Sequence, residues 1–420
     1  MRIVKLIIFL IFAYTFVQAQ DFPYRTTLSV EPSPSERICC IFFDKDGLMW
    51  LGTNKGLKSY DGYTFKTYRT DAYSPAILPN NTVLCIQEDK QDNLWLGTRD
   101  GIVRMNKRTG IFKTYHLPND NQRIIYTLYT AKDGTLWVGT DGGLSYYQPQ
   151  ADTFHTYNEK TTAITPEGNK RQIGSYEVKA ILEDRNGELI IGTWDTGLMR
   201  FNLKNYIFRQ YPKFNKLNSA FSLFFDKRHR LWVGTWGYGV VRIDNPDNVR
   251  QPEIHQYPYT YDCFDTYYKI IEDPVSKNLW ACTRNGVSII NPNEEGALWK
   301  NYPKIGTRDM RFTNDMVTDN GGRIWLATES NGVLQAYTTL SPFNIWNVNK
   351  QGLNTNYIRS LLTNDGMNFW IGLAPRGIAF YNRNTQQTLY NHQIPGFSDL
   401  SRDVLSACIS SVIQRSNGDI

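Results

Sequence analysis

Two tripeptides in the middle of the chain, Trp194-Asp195-Thr196 and Trp236-Gly237-Tyr238, set an indole beside groups that donate or accept hydrogen bonds. Indole faces stack on the apolar faces of sugar rings while polar neighbours meet the hydroxyls, so the combination suits carbohydrate binding. Arg99, Arg284 and Arg376 add guanidinium forks that match a carboxylate or a sulfate. Tyr259, Tyr261 and Tyr267 crowd one short stretch. The candidate ligand contacts are therefore Trp194, Asp195, Trp236, Tyr238, Arg99, Arg284, Arg376 and Tyr261, and the partner they suit is an oligosaccharide, an anionic one included. The competing reading folds Trp194 and Trp236 down as packing, because Trp is often largely buried.

The inventory for catalysis is empty. His116, His155, His229, His255 and His392 stand far apart with no His-x-x-x-His or Cys/His ligand spacing, which predicts no metal site. No Gly-x-Ser-x-Gly and no phosphate loop occurs, so neither a catalytic residue nor a cofactor is expected. Asp195 and Glu329 are the carboxylates expected on the same loop face as these contacts, and neither has an evident catalytic partner. Of six cysteines, Cys39, Cys40, Cys85, Cys263, Cys282 and Cys408, three occupy positions that other copies of the repeat below fill with small residues, so packing explains them better than bridging.

The elements that hold these residues come from an internal repeat. DKDGLMWLGTNKGLKSYDGYTFKTY at Asp44 recurs as DKQDNLWLGTRDGIVRMNKRTGIFKTY at Asp89 and KDGTLWVGTDGGLSYYQPQADTFHTY at Lys132. The anchoring aromatic is Trp50, Trp95, Trp137, Trp232, Trp280, Trp325 and Trp370, with Ile190 in the fourth copy, at a mean spacing of about 46 residues. Nine positions before each anchor stands an apolar residue: Ile41, Ile86, Leu128, Ile181, Leu223, Ile271, Met316 and Leu361. This marks an inner strand A; a turn headed by Asp, strand B (Leu-Trp-x-Gly-Thr), strand C (Gly-Leu-x-x-Tyr) and strand D (Phe-x-x-Tyr) follow. The anchors read as core, and the repeated Asp as a turn residue bonding its own backbone. The small residue two places after the anchor reads as close blade packing. In strand D the three-residue step puts its two rings on opposite faces, so both faces of the sheet must be covered.

Four-stranded sheets covered on both sides and joined by short links are blades packed around a channel. The fold class is all-β: a β-propeller of seven blades over residues 21–347, with the first blade and part of the second blade of another, truncated propeller over 348–420. A single eight-bladed ring is the alternative, and Leu373, where Thr is expected, makes the eighth copy the least regular. In such a blade the B–C and D–A loops share one face of the disc. The rings of Trp194 and Trp236 would lie there side by side as a platform, with the long loops 158–176 and 258–267 beside them.

Composition agrees: 41% apolar and 20% charged residues fit a large folded core, and 11 Trp, 26 Tyr and 21 Phe fit strands. Residues 1–20 read as a cleaved signal peptide, with Arg2 and Lys5 ahead of twelve apolar residues and Val17-Gln18-Ala19 at its end. Losing Arg2 and Lys5 takes the formal charge from +6 to +4, too mild an excess to argue for nucleic acid.

These copies, with Asp-x-x-Gly-x-(Leu/Met)-Trp-x-Gly-Thr-x-x-Gly-Leu, resemble the regulator-propeller repeat of hybrid two-component sensors from Gram-negative bacteria, from Tyr24 to the C-terminus. The resemblance implies a periplasmic, ligand-sensing module without enzymatic activity of its own. It also implies a second propeller, a β-sandwich, a membrane helix, a histidine kinase and a DNA-binding region elsewhere in the full-length protein, which would be a membrane-anchored homodimer. Its usual signal is a glycan fragment and its output is transcription of genes for using that glycan. The alternatives are a secreted propeller enzyme, such as a lyase or glycosidase, and a non-catalytic protein-interaction propeller.

Overall fold

The computed structural model describes residues 25–30, 36–71, 77–117, 122–157, 162–164, 168–172, 177–212, 219–257, 266–294, 296–305, 308–329, 331–337, 355, 357–363, 365–374, 377–385, 387–397 and 409–415. The expected signal peptide, Tyr259, Tyr261, Cys263, Arg376 and Cys408 lie outside them. The chain divides into two compact units, Met1–Thr339 and Leu340–Ile420.

The first unit is a β-propeller built of antiparallel blades. Its inner strands, in order, are Ile38–Phe43, Val83–Glu88, Ile125–Thr130, Val178–Glu183, Ala220–Phe225, Tyr267–Glu272 and Thr313–Thr318, and we number the blades 1 to 7 accordingly. Each inner strand packs beside the next, and the seventh returns to the first. The outer strand of blade 7 is Arg25–Val30, which pairs antiparallel with Val333–Tyr337, so the two ends of the ring are laced through one sheet. At the inner edge of the same seam, Asn314 Nδ2 donates to the Ile38 carbonyl at 2.8 Å, and the Ile41 amide donates to Asp315 Oδ2 at 3.1 Å.

The repeated residues have separate physical jobs. Strand B is buried along its whole length in every blade of this unit but the second, where only its first residue, Asn93, is half-buried, which is why it reads as Leu-Trp-x-Gly-Thr and not as an alternating strand. The Thr hydroxyl closes the B–C loop by donating to a Gly carbonyl, from Thr53 to Gly56 at 2.9 Å through Thr328 to Gly332 at 2.8 Å. Leu373 has no hydroxyl to do this. At Gly192 an added Cβ would lie 2.7 Å from the Ala220 carbonyl oxygen of the next blade, so the glycine permits the close approach of blades. The strand D rings do face opposite ways: Phe65 packs on the core between blades 7 and 1, Tyr68 on that between 1 and 2.

The turn Asp does more than cap its own loop. Asp44 Oδ1 accepts from the Asp46 and Leu48 amides, while Oδ2 takes the Trp50 indole N–H at 2.9 Å. The same indole bond recurs at Trp95–Asp89 (2.7 Å), Trp232–Asp226 (2.9 Å) and Trp325–Asp319 (2.8 Å). Blade 3 has Ala131 in the Asp position, on a turn with the same backbone bonds, and its Trp137 Nε1 is buried without a partner among the described residues. Restoring the acceptor with Ala131→Asp is expected to stabilise the protein by about 0.5–1.5 kcal/mol, read as a rise in the urea midpoint with an unchanged slope. A lower midpoint would show that the site cannot take the carboxylate.

Two details differ from the repeat as read in sequence. Blade 6 has one extra residue in its A–B turn, so the inner core position there is Ile270, 2% exposed and opposite Ala281, and not Ile271. Part of the loop 158–176 extends the blade itself. Its segments Thr162–Ile164 and Lys170–Gln172 pair as a hairpin that adds to the outer strand of blade 4, making a six-stranded sheet.

The second unit holds a four-stranded blade, Ile358–Leu362, Asn368–Leu373, Ile378–Asn382 and Gln387–Tyr390, followed by a short 3-10 turn. Trp370 packs on Phe380 and Phe397. No helix among the described residues is long and apolar enough to cross a membrane.

Candidate functional site

Every inner strand carries a β-bulge at the same place. In blade 1 the register passes from Ile38 opposite Thr53 to Cys40 opposite Gly52, leaving Cys39 as the extra residue. The equivalents are Leu84, Tyr126, Lys179, Phe221, Tyr268 and Asn314. A bulge turns its extra side chain away from the alternation of the strand. All seven are half-buried, whereas the residue just before each one is fully buried. They form a belt, one side chain per blade, at the end of the inner strands next to the B–C loops.

The B–C loop residues meet this belt over blades 3 to 6. Trp194 and Trp236 lie 5.2 Å apart between ring centroids, and Phe221 packs against both, at 5.4 and 5.6 Å. The bridge between Trp236 and Thr266 and the bond from its amide to Ser219 Oγ (3.2 Å) hold the Trp236 loop down. The two indoles meet at 65°, not side by side, so the surface is a ridge instead of the flat platform expected. The cause is Phe221, which fills the gap between the loops and tilts the indoles against it.

A cation stands at either end of the ridge. Lys179 Nζ lies 3.2 Å from the Tyr126 ring centroid, 5.6 Å from that of Trp194 and 5.7 Å from that of Phe221, and pairs with Glu177 at 2.5 Å. Burial pushes the Lys179 ammonium below the usual lysine range despite Glu177. Burial, with Glu177 and Asp141 nearby, pushes the Tyr126 phenol up to about 12. At the other end the Arg284 guanidinium lies 4.7 Å above the Trp236 ring, and its Nε donates to Tyr268 Oη at 3.2 Å.

Of the residues singled out in sequence, the structure thus brings together Trp194, Trp236 and Arg284. Asp195 is exposed in the B–C loop of blade 4 and Arg99 in that of blade 2, where its charge acts on Cys39 and Tyr126 of the belt, while Tyr238 is tied through its backbone to Thr235 and Gln256. Sequence reasoning missed Tyr126, Lys179, Phe221 and Tyr268. The available signal was the residue two places before each inner core position, which changes from Cys39 and Leu84 through Tyr126, Lys179, Phe221 and Tyr268 to Asn314. Pairing of the outer strands of blade 5 also gathers Asp244, Glu253 and His255, with one potential ligand atom of each within 4.8 Å of the others. Arg242 already holds both Asp244 oxygens, at 2.7 and 2.9 Å, and supplies the charge a cation would.

Residues 32–55, 77–100 and 119–142, which include the inner hairpins of blades 1 to 3, match the two component regulator propeller family. The chain carries regulator-propeller repeats. Comparison with curated protein sequences gives no match. Among solved structures, the fold is similar to the extracellular domain of a hybrid two component system from B. thetaiotaomicron, at 20% identity and a TM-score of 0.65, over 94% of this chain and 51% of that one. A second such domain from the same organism is 22% identical with a TM-score of 0.61, over 87% of this chain and 47% of that one. The chain thus spans about half the length of these structures. Virginiamycin B lyase from Staphylococcus aureus shares the fold at 14% identity and a TM-score of 0.59, over 75% of this chain and 100% of the lyase.

Proposed function

We propose that this chain is the ligand-sensing propeller of a hybrid two-component sensor, facing the periplasm, and that its signal is a glycan fragment whose binding controls transcription of genes for using that glycan. The observation that carries the ligand reading is the convergence of the bulge belt and the B–C loops of blades 4 to 6 on one aromatic ridge. Repeats fix the core residues, so side chains that differ from blade to blade and meet at one place are free to serve recognition. Half-buried indoles with polar groups at both ends suit a sugar ring, which needs an apolar face and hydrogen bonds together. The regulator-propeller repeats and the likeness to extracellular sensor domains support the placement outside the cytoplasm.

Calorimetric titration with oligosaccharide fragments tests this. Trp194→Ala/Trp236→Ala is expected to weaken the fragment that binds by about 1–3 kcal/mol, by analogy with aromatic anchors at other interfaces. A melting profile of the double variant separates lost recognition from lost fold. Unchanged affinity would move the site off this ridge. The same incubations are expected to yield no new reducing ends and no unsaturated products; turnover would replace the sensor by an enzyme.

A further inference from the structure

We propose that Arg284 reads an acidic group on the ligand, so that the oligosaccharide taken at this ridge carries a carboxylate or a sulfate. The inference rests on the sugar-binding reading above and narrows it to a substrate class.

Arg284 is half-buried, stacked on Trp236 and fixed at Nε by Tyr268. Those contacts occupy one edge and one face of the guanidinium and leave its Nη groups as donors. Other buried or half-buried arginines here face acids: Arg200 meets Asp184, Glu188 and Asp247, Arg230 meets Asp226, and Arg242 meets Asp244. Among the described residues no carboxylate pairs with Arg284. A guanidinium held flat, aimed and without an anion is pre-organised for two parallel bonds to one, which a point-charge lysine would not orient. The aromatic neighbours decide what bears the anion: a sugar ring seated against Trp236 brings an acid on that ring to the edge of the fork. Lys179 at the far end of the ridge is already neutralised by Glu177, so Arg284 is the end that discriminates.

The test titrates the full chain with size-matched fragments of neutral polysaccharides (xylan, mannan, arabinan), of uronate polymers (polygalacturonate, alginate) and of sulfated ones (chondroitin sulfate, heparin). An acidic fragment is expected to bind, with affinity falling as salt rises. Arg284→Gln should weaken it by about ten- to a hundredfold, with the melting temperature kept within about a degree or two of native. Arg284→Lys should recover only part of the loss. The uronate and sulfate arms tell which acid is read. Binding confined to neutral fragments would overturn the acidic class and leave the sugar reading standing. No binding in any arm would overturn both. Acidic binding that Arg284→Gln does not weaken would remove Arg284 from the role.

Discussion

Arg200→Met is expected to cost about 3–5 kcal/mol of folding stability at pH 7, because it leaves buried carboxylates without their cation. Blade 4 departs from the other blades in having Ile190 where they have Trp, so no indole N–H meets the turn Asp. Arg200 on strand C fills that vacancy. Its Nη2 donates to Asp184 and its Nε to Glu188, while Nη1 reaches the Pro246 carbonyl at 3.0 Å and Asp247 Oδ1 at 3.1 Å. The Arg200 side chain is 5% exposed and that of Asp184 0%, so neither charge is relieved by water. One guanidinium thus replaces an indole bond and also ties blade 4 to the C–D loop of blade 5. Against a total stability of about 5–15 kcal/mol for an ordinary domain, the loss is large enough to read directly as a fall in the urea midpoint. Arg200→Lys should fall between the two, since one ammonium cannot reach the same set of acceptors.

The pH dependence gives the loss a signature of its own. Burial works against ionisation of Asp247, yet bonds from Arg185 and Arg200 hold its carboxyl below the ordinary range. A group depressed on folding stabilises above its unfolded pKa, near 3.9, and that contribution fades as pH falls through the folded value. In Arg200→Met the carboxylates left behind repel one another, and protonation relieves them. The gap in stability between native protein and variant should therefore narrow as pH falls from 7 towards 4. A gap that stays constant over that range would mean that lost packing, not lost charge, explains the variant.

The architecture was legible in the sequence because the repeat copies its core. Trp, Gly and Asp recur where the indole packs, where blades touch and where the turn closes, and each has one physical reason to stay the same in every copy. The site was only half legible for the opposite reason. Trp194 and Trp236 stood out as departures within a short loop, but Tyr126, Lys179, Phe221 and Tyr268 lie inside strands that alternation treats as ordinary. A bulge breaks the two-residue period by one place, so a channel-facing residue follows a buried one without changing the pattern of core positions. The single added residue in the blade 6 turn shifted the count from Ile270 to Ile271 in the same way. Arg200 was illegible because its partners come from two blades. The strand Arg25–Val30 lies ahead of the first copy and carries none of its motifs, so nothing in the repeat announces its pairing with Val333–Tyr337.

That pairing sets the second large effect. Asp315→Ala is expected to cost about 2–4 kcal/mol and to loosen the ring at one place, the seam between blades 7 and 1. Asp315 Oδ2 accepts from the Ile41 amide at 3.1 Å, Oδ1 from the Met316 amide at 2.9 Å, and Lys269 Nζ stands 3.4 Å away. Ile41 is 4% exposed, so its amide has no ready substitute for the lost carboxylate in water. The contact joins residues 274 apart in sequence, and closing so long a loop is an entropic cost that only the seam contacts offset. Two latches share that work with the core between blades 7 and 1: the outer strand Arg25–Val30 and the inner pair Asn314 and Asp315. With the inner latch gone, amide hydrogen exchange should rise first in Ile38–Phe43 and Thr313–Thr318, while Val178–Glu183 on the far side of the ring keeps its protection. Asp315→Asn, which retains one acceptor oxygen, should lose less than Asp315→Ala. Exchange rising evenly around the ring would show that the blades hold together without a privileged seam.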